Sequence, residues 1–153
     1  MIFPKLDRSN IILYLILGIA FLYFTFKKDE IVTTPEEQLH LAALSYLKKD
    51  YVKAFAWCSE AANGNLVAAQ HLLATMYIGE IGTKQNYKKA KTLLEKAAKQ
   101  NFDQAQYTIG RLYEEGIVFP QDNTKAIEWY KKAAMQGNKD AKKKLGILLE
   151  KNT

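Results

Sequence analysis

A chain of 153 residues holds one domain of ordinary size and an appendage, which excludes a multidomain assembly. Hydrophobic residues at 48% beside 25% charged ones, with only 3 Pro and 8 Gly, exclude a long disordered polymer and disfavour an all-β chain. The net charge of +6 does not imply nucleic acid, because the lysines are scattered and only Arg8 and Arg111 carry the guanidinium group suited to bidentate base reading.

Residues 1–10 form a short tail, and residues 11–28 then predict a membrane anchor. Ile11 to Phe26 reads IILYLILGIAFLYFTF, sixteen positions without a charge, with Lys5 and Arg8 before it and Lys27 and Lys28 after it. That is shorter than the roughly 20 residues of an ideal span, but Ser9 and Asn10 extend it, and flanking lysines snorkel. Ile11 and Phe21 belong to its apolar body, while Tyr14, Tyr23 and Phe26 bring aromatics toward its ends, where interfacial rings are favoured. A cleavable signal is disfavoured: Gly18 and Ala20 lie inside the run, and bulky FLYFTF follows them. The same two small residues lack the small-xxx-small spacing that would make the helix itself a close-packing subunit. A short leading tail before a long remainder fits a single-pass anchor, amino end cytoplasmic and the rest extracytoplasmic, periplasmic in a bacterium.

A polar linker follows at 29–35. In it Thr34, with Glu37 three residues on, predicts a capping box for a helix beginning near residue 36.

The remainder, 36–151, is periodic. AQHLLATMY from Ala69, AQYTIGRLY from Ala105 and AKKKLGILL from Ala141 are spaced by 36 residues, as are Ala54, Ala90 and Ala126, each opening a second helical pattern. Helices are expected at about 36–48, 52–63, 67–78, 86–100, 103–115 and 123–136, with a last one from about 139. Each has one apolar stripe that it cannot bury alone, so the pairs must stack. Gly64, Gly79, Gly82, Gly116 and Gly137 stand where helices should end, at positions expected to need positive φ. The expected class is all-α: a short right-handed α-solenoid of antiparallel helix pairs, preceded by one transmembrane helix.

The run AQYTIGRLYEEGIVFPQDNTKAIEWYKKAAMQGNKDAKKKLG resembles the Sel-one-like repeat, a tetratricopeptide-related α/α repeat. The resemblance is specific over Ala105 to Gly146, good over Leu66 to Phe102, and only tetratricopeptide-like over Pro35 to Asn63. Val118 and Glu80 depart from the repeat's loop glycines. The resemblance implies a protein–protein interaction module, an adaptor or scaffold, and leaves the partner unnamed. It also admits an immunity protein that neutralises a secreted antibacterial toxin, or a cell-wall hydrolase.

The residues offer no nucleophile or acid–base constellation for an enzyme, and no cofactor or metal motif. Cys58, a lone cysteine that cannot close an intramolecular disulfide, is expected inside as a small hydrophobe. His40 and His71 are spaced like the first two repeats and lack a third ligand in sequence, so they read as solvated groove residues. Lys88, Lys89, Lys91 and Lys142 to Lys144 read as solvated helix faces, with anionic lipid as the alternative contact.

With Ala69, Leu72, Leu73, Met76 and Tyr77 turned inward, the wheel sends His71, Thr75 and Ile78 outward. A partner groove is therefore expected along His40, His71, Tyr107 and Lys143, with Leu44, Thr75, Arg111 and Ile147 beside them. Tyr107 and Arg111 are its foremost residues, being the types that most often anchor interfaces.

Overall fold

The computed structural model describes residues 33–151, and the expected anchor at 11–28 lies outside them. Residues from Thr34 on form a compact unit of their own. It holds α1 (Pro35–Leu47), α2 (Tyr51–Asn63), α3 (Val67–Ile78), α4 (Tyr87–Lys99), α5 (Asp103–Glu115), α6 (Asn123–Met135) and α7 (Lys139–Lys151). Among the described residues there is no strand, and no helix long and apolar enough to cross a membrane. Consecutive helices pack on one another, each second helix against the first helix on either side, which makes an all-α solenoid.

The helix starts are written into the repeat. The capping box at α1 forms as expected: Thr34 N–H donates to Glu37 Oε2 at 2.9 Å, and Glu37 N–H donates to Thr34 Oγ1 at 3.2 Å. Asp50, Asn86 and Asp122, each 36 residues from the next, cap α2, α4 and α6 by accepting from the N–H three residues on. The Lys125 N–H foremost, with the Lys125 charge and the Thr124 N–H, holds the Asp122 carboxyl below its usual range.

Alanine sets the spacing between helices. Ala54, Ala90 and Ala126, with Ala69, Ala105 and Ala141, are buried in register and let the backbones approach closely. Cys58, Leu94 and Tyr130 occupy one slot in successive second helices and are fully buried. Burying a side chain such as Leu94 contributes on the order of 2 kcal/mol. Burial pushes the Cys58 thiol up to about 12, so it is the inert hydrophobe its position predicts.

The turns differ from what the glycine positions predict. Gly64 and Gly79 have φ of −68° and −91°; the left-handed residues are their successors, Asn65 at 66° and Glu80 at 57°. The chain enters αL one residue after the helix cap, where asparagine tolerates it and glutamate is strained. Gly82, Gly116 and Gly137 do have positive φ. Val118, at 66°, keeps the left-handed turn without a glycine.

Candidate interaction surface

The expected groove residues fall into different settings. On α1, His40 is exposed and Leu44 is 40% exposed. On α3, His71 is half-buried: its Nε2 is 2.9 Å from Thr108 Oγ1, and its ring meets Phe102 edge-on. His71 is thus not the solvated side chain its helical phase suggests, because α5 packs over it. Thr75, one turn on, donates its hydroxyl to Leu72 O at 2.7 Å. On α5, Tyr107 is half-buried with its ring 5.7 Å from that of Tyr130, and Arg111 grips both carboxylate oxygens of Glu115 at 3.0 Å. On α7, Lys143 and Ile147 are exposed.

Two other placements depart from the helical wheel. Leu72, expected inside, is 37% exposed, and Ile78, expected outside, packs against the core. The lysine clusters also make structural contacts. Lys89 lies over the Tyr77 ring at 5.3 Å and Lys91 over Phe119 at 5.2 Å, while Lys144 bonds both carboxylate oxygens of Glu114 at 3.1 Å. Glu114 in turn accepts from the buried Tyr130 hydroxyl at 2.6 Å, so α5, α6 and α7 meet in one polar chain. Burial, and then this carboxylate, push the Tyr130 hydroxyl well above its usual range.

Burial lowers the His71 pKa from the ordinary 6.5, with the Asp103 carboxylate opposing the shift. A depressed native value means that the unfolded chain takes up the proton first. This part of the stability is therefore whole above about pH 6.5 and is lost as pH falls through the native pKa. Unfolding midpoints measured from about pH 7 down to about pH 5 are expected to fall, and the His71→Gln variant should fall less steeply. An equal slope in His71→Gln and the parent chain would refute the assignment.

A periodic polar pair also runs through the repeat, and a reading of apolar stripes alone passes over it. Gln70 and Gln106 are buried, and each accepts on its side-chain oxygen from a glutamine thirty residues on: from Gln100 at 3.1 Å and from Gln136 at 2.6 Å. The AQ pair near the start of α3 and of α5 is its signal in the sequence.

The apolar opening lies between α1 and α3. A pocket of about 300 Å³ is lined by Ala42, Ala43, Tyr46, Leu47, Ala54, Leu72 and Met76. Leu47 is 76% exposed, and Leu44, Tyr46 and Leu72 are exposed beside it. Apart from the Tyr46 hydroxyl the lining side chains are apolar, so the pocket suits an apolar side chain. Among the described residues, no three of His, Cys, Asp and Glu gather as a metal site.

Comparison with known proteins agrees with this architecture. The Sel1 repeat matches residues 39–66, 67–102 and 103–138, so the first helix pair, which reads as only tetratricopeptide-like in sequence, is largely taken in as well. No curated protein matches the chain. The crystal structure of a Sel1 repeat protein from Oxalobacter formigenes is 38% identical, with a TM-score of 0.62 over 73% of this chain and 87% of that one. The protective antigen c5321 of uropathogenic Escherichia coli, described as displaying an SLR fold, is 31% identical with a TM-score of 0.70. That match covers 77% of this chain but only 26% of the antigen. Helicobacter pylori cysteine rich protein B, at 24% identity and a TM-score of 0.53 over 58% of this chain and 67% of that one, shares the fold. With three repeats matched over most of its length, and the periodic helix pairs that those repeats specify, the chain belongs to the Sel1 repeat family.

Proposed function

We propose that the chain is a membrane-anchored adaptor or scaffold that takes up a protein partner along its first helices. Residues 11–28 would enter the bilayer, with the amino terminus cytoplasmic and the repeat domain on the extracytoplasmic side. Sel1 repeat proteins are in general protein–protein interaction modules and not typically enzymes. The observation that carries the reading is the apolar pocket between α1 and α3, with Leu44, Leu47 and Leu72 exposed around it. Exposed leucines grouped at a recess are the kind of patch that marks an interaction site. Charge-free walls select an apolar side chain of the partner, and the first-helix row through Tyr107 and Arg111 extends the contact toward α5.

The test is affinity purification from membranes with the tagged full-length protein, against a version lacking Met1 to Lys28. Leu47→Asp with Leu72→Asp, and separately Tyr107→Ala with Arg111→Ala, are each expected to reduce partner capture about tenfold or more while helicity is retained. Capture unchanged in both double variants would place the binding surface elsewhere. Capture and membrane retention unchanged by the truncation would remove the anchor.

A further inference from the structure

One edge of the repeat unit gathers the starts of the first helices and the ends of the second ones. Pro35, which opens α1, closes over Gly64 at the end of α2, where a Cβ would stand 2.5 Å from its ring. The Gln100–Gln70 and Gln136–Gln106 bonds, and the Asn138–Asp103 bond at 2.9 Å, continue the same edge.

A cleft of about 570 Å³ opens there, lined by Lys99, Asn101, Trp129, Lys132, Met135 and Gln136 among others, with no carboxylate in its walls. Met135 is 87% exposed, the most open of the exposed large hydrophobic side chains. Trp129 is half-buried beneath the Lys132 ammonium, which stands 4.2 Å from its ring centroid. In the preceding repeat Leu93 and Lys99 hold the positions of Trp129 and Met135, and in the one before it Trp57 and Asn63 do, so a tryptophan and an open methionine come together only here. Elsewhere on the edge Glu37 and Asp103 accept hydrogen bonds from Thr34 and Asn138, while Glu36 and Asp140, in the first turns of α1 and α7, are exposed but do not line the cleft.

An open methionine and a tryptophan between lysines have the chemistry of a bilayer interface. The rings and thioether take the acyl boundary, and the lysine stems carry their charges to anionic headgroups. A protein partner for this cleft would have to cover Met135 while leaving Lys99 and Lys132 paired, and a headgroup layer does both at once. Chain length agrees: seven residues separate Phe26, the end of the charge-free run, from Thr34 at this edge, and when extended they reach no more than about 25 Å.

We propose that this edge docks on an anionic lipid surface, with Met135 and Trp129 entering the headgroup layer and Lys99 and Lys132 meeting lipid phosphates. The proposal rests on the membrane placement given above. Its test uses the full chain in nanodiscs of phosphatidylcholine with or without phosphatidylglycerol. An environment-sensitive fluorophore is attached at Met135→Cys or, on the opposite edge, at Lys84→Cys, and quenched by lipid that is spin-labelled at the headgroup. Cys58, buried, stays unlabelled.

The expected result is several-fold stronger quenching at position 135 than at position 84 in the anionic discs. It should weaken at high salt and in the Lys99→Glu, Lys132→Glu double variant. Equal quenching at both positions, or a signal at 135 indifferent to phosphatidylglycerol and to charge reversal, would overturn the docking. Co-elution with the discs is read first. A chain that does not co-elute refutes the membrane placement and the docking with it, whereas a chain that co-elutes with position 135 unquenched refutes the docking alone.

Discussion

Gly82→Ala is expected to destabilise the repeat unit by about 3–4 kcal/mol, combining the cost of a left-handed alanine with that of overpacking against backbone. Gly82 has φ of +70°, and a Cβ there would run into the carbonyl of Tyr51 and stand 3.0 Å from Phe55 Cβ. The obstacle is main chain at the start of α2, so a rotamer change cannot relieve it. The loop after α3 must lift away from α2, and contact between the first and second repeats loosens. Because a solenoid is held by nearest-neighbour contacts, the damage should be local. Urea unfolding followed by circular dichroism should show the loss, and hydrogen exchange should show α1 and α2 losing protection before α5 and α6. Glu80→Gly in the same loop should act the opposite way, raising stability by about 0.5–1 kcal/mol, since Glu80 is exposed at φ 57° and glycine removes the strain. A Gly82→Ala protein as stable as the parent would show that the loop does not seat on Tyr51.

The second large effect is expected at Gly110 of α5. A Cβ there would stand 2.8 Å from two ring carbons of Tyr130 and 3.2 Å from the Ala126 carbonyl oxygen. Tyr130 is fully buried, and its hydroxyl is tied to Glu114, so the ring cannot retreat without breaking that bond. Gly110→Ala should therefore cost about 2–3 kcal/mol despite alanine's better helix propensity, which returns only about 1 kcal/mol. Adding Tyr130→Leu should restore part of the loss, because a smaller side chain makes room for the methyl group. If the double variant is destabilised by the full sum of its single changes, the two residues are not coupled through this contact.

The period of 36 residues makes the helix pairs, their approximate bounds and their buried alanines legible in the sequence. The capping box at Thr34 is legible for the same reason: local chemistry within one turn determines it. The Asp50, Asn86 and Asp122 caps and the Gln70 and Gln106 pairs are equally periodic, and their signal is a polar repeat beside the apolar one. The turns are harder. Glycine marks a helix end, but the residue entering αL is set by how the last turn closes, and at Asn65 and Glu80 it comes one position after the glycine.

The two histidines show where sequence reading stops. His40 and His71 hold equivalent positions on successive first helices, yet one is exposed and the other is covered by Thr108 and Phe102. A helical wheel states the direction of a side chain from its own axis and nothing about the next helix. Leu72 and Ile78 exchange their expected settings for the same reason. The sequence by itself determined the family, the repeat and which small residues allow the helices to approach, because these depend on spacing along one chain. Only the tertiary structure decided which apolar side chains remain open between α1 and α3, and which lysines, caps and glutamines share an edge. Those depend on how close consecutive helices come and at what offset, and contacts across the stack settle that.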